Sequence, residues 1–217
     1  MTHTLEADSI QLQFGGRSIL SGVYLKCSTG RITGLLGRNG QGKSCLMKII
    51  QGSMKGEKSV RIDGVACPAP LRRHGLLCYL PQFNFVPAHL SVGRAFRDFG
   101  LPYAPFAARF PEFEGRAGAR MRQLSGGERR LVELYLVAMA PALFALLDEP
   151  FTHLNPLQIE KVKELLLEEK ANKGFLVTDH MYRHVLDICD PLYILADGRT
   201  HLAKEVEDIE RLGYARL

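Results

Sequence analysis

Gly37-Arg38-Asn39-Gly40-Gln41-Gly42-Lys43-Ser44 is the stretch that decides the fold. It fits the pattern G-x-x-x-x-G-K-[ST]. Its glycines let successive backbone N–H groups turn inward around phosphate oxygens. Lys43 places a point charge beside the β and γ phosphates, and Ser44 offers a hydroxyl to a magnesium ion. The flanks agree with that reading. Ile32-Thr33-Gly34-Leu35-Leu36 is a short apolar run entering the loop, and Ser44 to Ile50 has helical spacing. Strand, loop and helix follow in order, and the helix presents its N-terminus to the same anion.

On the N-terminal side, Ile10-Gln11-Leu12-Gln13-Phe14 and Val23-Tyr24-Leu25-Lys26-Cys27 alternate in polarity. Gly15-Gly16 and Ser28-Thr29-Gly30 punctuate them, which predicts antiparallel strands and turns. On the C-terminal side, Ser59 to Ile62 and Leu76 to Leu80 read as further strands, and Glu128 to Met139 as an amphipathic helix. Leu143 to Leu147 is a continuous apolar run, as expected of a strand buried on both faces of a parallel sheet. Pro156 to Glu169 is helical, with Ile159, Val162, Leu165 and Leu166 on one face. Phe175 to Thr178 is the next strand. Tyr193 to Ala196 and Thr200 to Ala203 frame a hairpin turn at Asp197-Gly198. This alternation implies an α/β sheet.

One segment differs in composition. Seven of the eleven phenylalanines lie between Phe83 and Phe113. Pro102, Pro105 and Pro111 exclude a single long helix there. The seven rings are expected to form the core of a small helical subdomain, some of them lining a groove for a partner's helix.

The 217 residues suit one globular domain with room for a core. At 46% hydrophobic and 24% charged residues, disorder is not expected. The net charge of +5 favours anionic partners, but no long Lys/Arg run accompanies it, and nucleic acid is not the expected partner. The five cysteines, Cys27, Cys45, Cys67, Cys78 and Cys189, read as free thiols of a reducing compartment. Met1 to Phe14 lacks the basic and apolar regions of a signal peptide. No run of about 18 apolar residues exists, so a membrane role would require another chain.

Two further sites carry chemistry. Asp148 and Glu149 follow the buried strand at its C-terminal end, where ligands of such sheets bind. Paired carboxylates there are costly unless a cation or a reacting proton uses them. Asp148 is expected to hold magnesium through water, and Glu149 to polarise the attacking water as general base. Leu124-Ser125-Gly126-Gly127-Glu128 offers an N-cap serine and exposed glycine backbone at a helix start.

In this combination and order, the chain resembles the ATP-binding subunits of ATP-binding-cassette (ABC) transporters over nearly its whole length. The resemblance implies an ABC-type P-loop NTPase of α/β class. Its parts are a mostly parallel core sheet, an N-terminal antiparallel β subdomain and an inserted α-helical subdomain. The expected boundaries are residues 83–140 for the helical insertion, and residues 1–82 with 141–217 for the catalytic core and β subdomain, all within one domain. Phe14 stands where an aromatic stacks on adenine. Gln82, in Leu80-Pro81-Gln82, matches the glutamine that touches Mg²⁺ and senses the transport partner. Leu124 to Glu128 matches the family signature, and His180, in Thr178-Asp179-His180, the switch histidine that contacts the γ-phosphate.

Two positions depart from the usual pattern. Cys45 replaces a common threonine, and a thiol is a weaker donor. Asn155, ending Thr152-His153-Leu154-Asn155, replaces an aspartate and loses its charge. That bears on communication between two ATP sites. The resemblance further implies ATP hydrolysis with Mg²⁺, and a head-to-tail dimer in which Ser125, Gly126 and Gly127 of one copy close on ATP held by the other. It implies a separate membrane permease as partner and a place on the cytoplasmic face of the membrane. The alternative is a soluble ABC ATPase acting on nucleic acid, ribosomes or cofactor assembly.

Overall fold

The computed structural model describes residues 1–203 and 207–211. Residues 204–206 and 212–217, at the end of the expected core, lie outside the described residues. Two sheets organise the chain. The first is antiparallel, in the order β2-β1-β4-β5, from β1 (Thr4–Phe14), β2 (Arg17–Ser28), β4 (Glu57–Ile62) and β5 (Val65–Ala66). Leu5, Ala7, Ile10 and Leu12 of β1 are buried, as its alternation requires. Gly15 and Gly16 close β1 onto β2 with φ of 53° and 82°, the left-handed geometry that a two-residue hairpin turn demands.

The second sheet runs β10-β9-β3-β8-β7-β6. It contains β3 (Ile32–Leu36), β6 (Leu77–Leu80), β7 (Phe144–Asp148), β8 (Gly174–Thr178), β9 (Leu192–Ala196) and β10 (Arg199–Ala203). All neighbours pair in parallel except β10, which returns antiparallel on β9 through Asp197-Gly198. Every residue of β3, β7 and β8 is buried, which explains their unbroken apolar runs. The C-terminal ends of β3, β6, β7 and β8 therefore emerge side by side, and the sites of interest follow directly from them.

Helices cover this sheet. They are α1 (Lys43–Gln51), α4 (Gly126–Met139), α5 (Pro156–Glu169) and α6 (Tyr182–Leu186), with α7 (Glu207–Arg211) after the last strand. Ile159, Val162, Leu165 and Leu166 of α5 are buried, as their spacing predicts. Among the described residues no helix is long and apolar enough to cross a membrane.

Between β6 and β7 the chain forms α2 (Val92–Asp98) and α3 (Tyr103–Arg109) ahead of α4. Pro102 stands just before α3 in extended conformation, and Pro111 opens a short 3₁₀ turn. Phe96, Phe106, Phe110 and Phe113 are buried. The Phe106 ring lies 4.7–5.3 Å from Phe96, Phe110, Phe113 and Tyr135, centroid to centroid, in tilted and edge contacts. Phe85 and Phe99 pack only partly against this core. Phe83 corrects the expectation of seven core rings: it is 73% exposed.

Candidate active site

The glycine-rich loop links the end of β3 to α1. Gly40 and Gly42 have φ of 80° and 99°, which a side chain would strain. Gly37 is required by proximity, since a Cβ there would lie 2.7 Å from the Leu195 carbonyl. The Lys43 ammonium folds back onto the loop it follows, donating to Gly37 O at 2.6 Å and Arg38 O at 3.3 Å. Gln41 Oε1 accepts from the Arg38 amide. Burial lowers the Lys43 pKa, opposed by the carboxylates of Glu149, Asp148 and Asp179. An arriving polyphosphate would supply the counter-charge that this buried cation lacks.

A cavity of about 600 Å³ opens over the loop. Phe14, Asn39, Gly40, Gly42, Lys43, Ser44 and Cys45 line it together with Gln82, Glu149 and His180. Residues from five segments thus meet in one place. Phe14 is 54% exposed, an aromatic face left available to a planar ligand.

Asp148, at the end of β7, is 1% exposed. Ser44 Oγ donates to its Oδ1 at 3.1 Å and the Tyr79 hydroxyl to its Oδ2 at 3.0 Å. Burial raises its pKa, while both hydrogen bonds lower it. A hydroxyl and a carboxylate side by side are the hard oxygen donors that magnesium takes, so these residues fit the ion.

Glu149 occupies the left-handed region with φ of 54°. Its amide donates to Thr178 O at 2.7 Å. Its Oε2 accepts from Gln82 Nε2 at 3.0 Å and from Thr152 Oγ1 at 3.4 Å, and lies 3.8 Å from His180 Nδ1. Gln82 and His180, expected at Mg²⁺ and at the γ-phosphate, are thus gathered around one oxygen of Glu149. Asp179 holds this corner in place. Its buried carboxylate accepts the amides of Phe151 and Met181, and its Oδ1 lies 3.3 Å from His180 Nδ1.

Ser125 caps α4, which starts at Gly126 rather than at the expected Glu128. Ser125 Oγ accepts from the Glu128 amide at 3.2 Å, and Glu128 Oε2 accepts from the Ser125 amide at 2.7 Å. Arg116 donates to Glu128 Oε1 at 2.5 Å. Gly127 has no room for a side chain, because a Cβ would lie 2.4 Å from His153 O. This motif does not line the large cavity. Gly126 lines a separate cleft of about 190 Å³ with Gln82, Phe83, Arg130 and His153. Asn155 caps α5 in a second capping box, accepting from the Gln158 amide at 2.9 Å. Its amide performs the local capping that a carboxylate would perform.

Sequence reasoning missed Tyr79 and Arg130. Tyr79 reads as one more strand residue of β6. Arg130 reads as a solvated helix cation, yet it is 3% exposed. The amphipathic helix expected over Glu128 to Met139 is corrected here: Arg130 to Ala138 are all buried, so no period in the sequence singles out Arg130.

The model of the ABC transporter family matches residues 20–152, and the chain belongs to that family. Its ATP-binding subunits are ATPases, and this chain has their fold. It is 31% identical to the lipopolysaccharide export system ATP-binding protein LptB of Acidithiobacillus ferridurans, over 96% of this chain and 93% of that protein. It is 30% identical to the protein of the same name from Escherichia coli (strain K12), over 90% and 88%. A solved ATP-binding subunit of an ABC transporter superposes with a TM-score of 0.79 at 26% identity, covering 95% of this chain and 92% of the other.

Proposed function

We propose that this chain hydrolyses ATP as one of two head-to-tail copies on the cytoplasmic face of a membrane, driving a separate permease. The observation that carries this reading is the convergence of Gln82 and His180 on Glu149 beside Lys43 and Ser44. A site for phosphate binding alone needs the loop; a carboxylate poised beside it has a use in activating water.

The roles are those the family resemblance implies, and the gathering of these residues at one cavity supports them. Phe14 stacks on the adenine. The backbone of residues 37–44 with Lys43 holds the phosphates, Cys45 contributing its backbone N–H and a weaker thiol. Ser44, Asp148 and Gln82 would hold Mg²⁺, which would neutralise charge on the transferred phosphoryl group. Glu149 draws a proton from the attacking water, and His180 faces the γ-phosphate. The signature, Ser125 to Glu128, lies outside its own chain's large cavity, which supports a role on the ATP of a second copy. There the Ser125 hydroxyl and the N–H groups of Gly126 and Gly127 would donate to the γ-phosphate. Hydrolysis then removes the contact that favours the closed pair. Residues 83–140 act as the unit that meets the permease.

Phosphate release tests the reading. The purified chain with Mg²⁺ and ATP releases phosphate, and Lys43→Ala neither binds nor hydrolyses ATP. Unchanged ATP affinity in Lys43→Ala would refute the loop assignment, and an ATP-bound but inert wild-type chain would refute hydrolysis.

A further inference from the structure

Arg130 lies on α4 one turn beyond Gly126, and its guanidinium is buried. Nη1 donates to Pro81 O at 2.7 Å. Nη2 donates to Asp148 O at 2.5 Å and to Glu149 O at 2.8 Å. These carbonyls belong to the residue before Gln82, to Asp148, and to Glu149 itself. One side chain on the signature helix therefore grips the backbone on both sides of the Gln82–Glu149 hydrogen bond.

The grip matters because Glu149 is strained. A left-handed conformation crowds the Cβ against the following carbonyl oxygen, which is a cost for any residue but glycine. The structure must hold it, and it does so from two sides. The Glu149 amide is tied to Thr178 O on β8, and the Glu149 carbonyl is tied to Arg130. With both ends fixed, the carboxylate faces Gln82 and the cavity. Burying a guanidinium carries a heavy desolvation cost unless charge and hydrogen bonds offset it. Glu133, Asp148, Asp179 and Glu149 supply the charge. A helix that only had to pack here would do so with an apolar side chain. A planar fork that reaches three carbonyls fixes where the backbone stands, and lysine, a single point of charge, cannot reproduce it.

We propose that Arg130 is a positioning residue for hydrolysis, holding Gln82 and Glu149 from the signature helix so that a chain's own general base is placed by the seating of its signature. The inference rests on Glu149 being that base. It adds a link within one chain, running from the motif that serves the partner's ATP to the carboxylate that serves its own.

The test uses the full chain, with Arg130→Lys and Arg130→Ala, and measures kcat, ATP affinity by direct binding, and Tm. Arg130→Ala is expected to lose at least about tenfold in kcat while ATP affinity stays within about twofold. Millimolar guanidinium ion is expected to restore part of the lost rate, and sodium at equal ionic strength none. Arg130→Lys is expected to fold as the wild type with an intermediate kcat, and it carries the test if the alanine variant does not fold. Wild-type kcat in either folded variant would overturn the proposal. So would a parallel collapse of ATP affinity and Tm in both variants, which would make Arg130 a brace of the fold. A wild-type chain without turnover would instead sink the hydrolysis reading and this inference with it. An active wild type with unaffected variants would sink this inference alone.

Discussion

Ser44 Oγ and Asp148 Oδ1 lie 3.1 Å apart, joining the first turn of α1 to the end of β7 across 104 positions of sequence. The other oxygen of the same carboxylate is held by the Tyr79 hydroxyl at 3.0 Å. Asp148 thus has its orientation set from two strands and a helix before any ligand arrives. Pre-set donors lose less freedom on binding an ion, which suits a site that must take one up at every turnover.

Tyr79→Phe removes one hydroxyl and leaves the ring. A hydrogen bond to a charged group is worth about 1.5–3 kcal/mol. Part of that is expected to appear as weaker magnesium binding, with the Mg²⁺ concentration for half-maximal ATPase rising about three- to tenfold. Mn²⁺ titration of the nucleotide-bound chain checks this directly. An unchanged metal affinity would remove Tyr79 from the site.

Glu128 gives a pH dependence with a definite sign. The hydrogen bond from Arg116 holds its carboxyl below the ordinary value of 4.5, aided by the Ser125 amide and opposed by burial. A depressed carboxyl stabilises the fold fully above its unfolded pKa, and that contribution is lost as pH falls through the lower folded value. Glu128→Gln keeps the capping box but not the charge. The variant is expected to melt about 2 °C below wild type at neutral pH, the pair being partly exposed. The gap closes as pH falls below the ordinary carboxyl value and through the lower folded one, and thermal melts across that range measure it.

Phe83 stands exposed outside the ring cluster, and it lines the small cleft beside Gln82. Aromatic anchors at interface centres are worth about 2 kcal/mol or more. Phe83→Ser is expected to keep basal ATPase within about twofold and to weaken capture of the permease about thirtyfold. Loss of folding would return Phe83 to the core.

The elements were legible because their patterns are local. Pro156 to Glu169 declares its helix by a proline at N1 and four apolar residues on one face. The runs before the glycine loop and before Asp148 declare strands buried on both sides. The binding residues were legible as motifs, and the structure brings Phe14, Gln82, Glu149 and His180 to one cavity. What the sequence hides are contacts made between segments. Arg130 opens a stretch of α4 that is buried on all sides, and in the sequence a buried cation and a solvated one look alike there. Tyr79 occupies a strand position where any large residue would do. Phe83 shares its composition with six packed rings, and only the chain's path after Pro81 turns it outward.

Glu149→Gln tests the central claim most directly. The substitution removes the base while keeping shape, and Gln82, Lys43 and the signature remain. With Mg²⁺ and ATP, the variant is expected to release no phosphate and to elute from gel filtration at twice its monomer mass, reverting to monomer with ADP. A variant that turns over ATP at the wild-type rate, or that binds ATP and stays monomeric, would contradict the account.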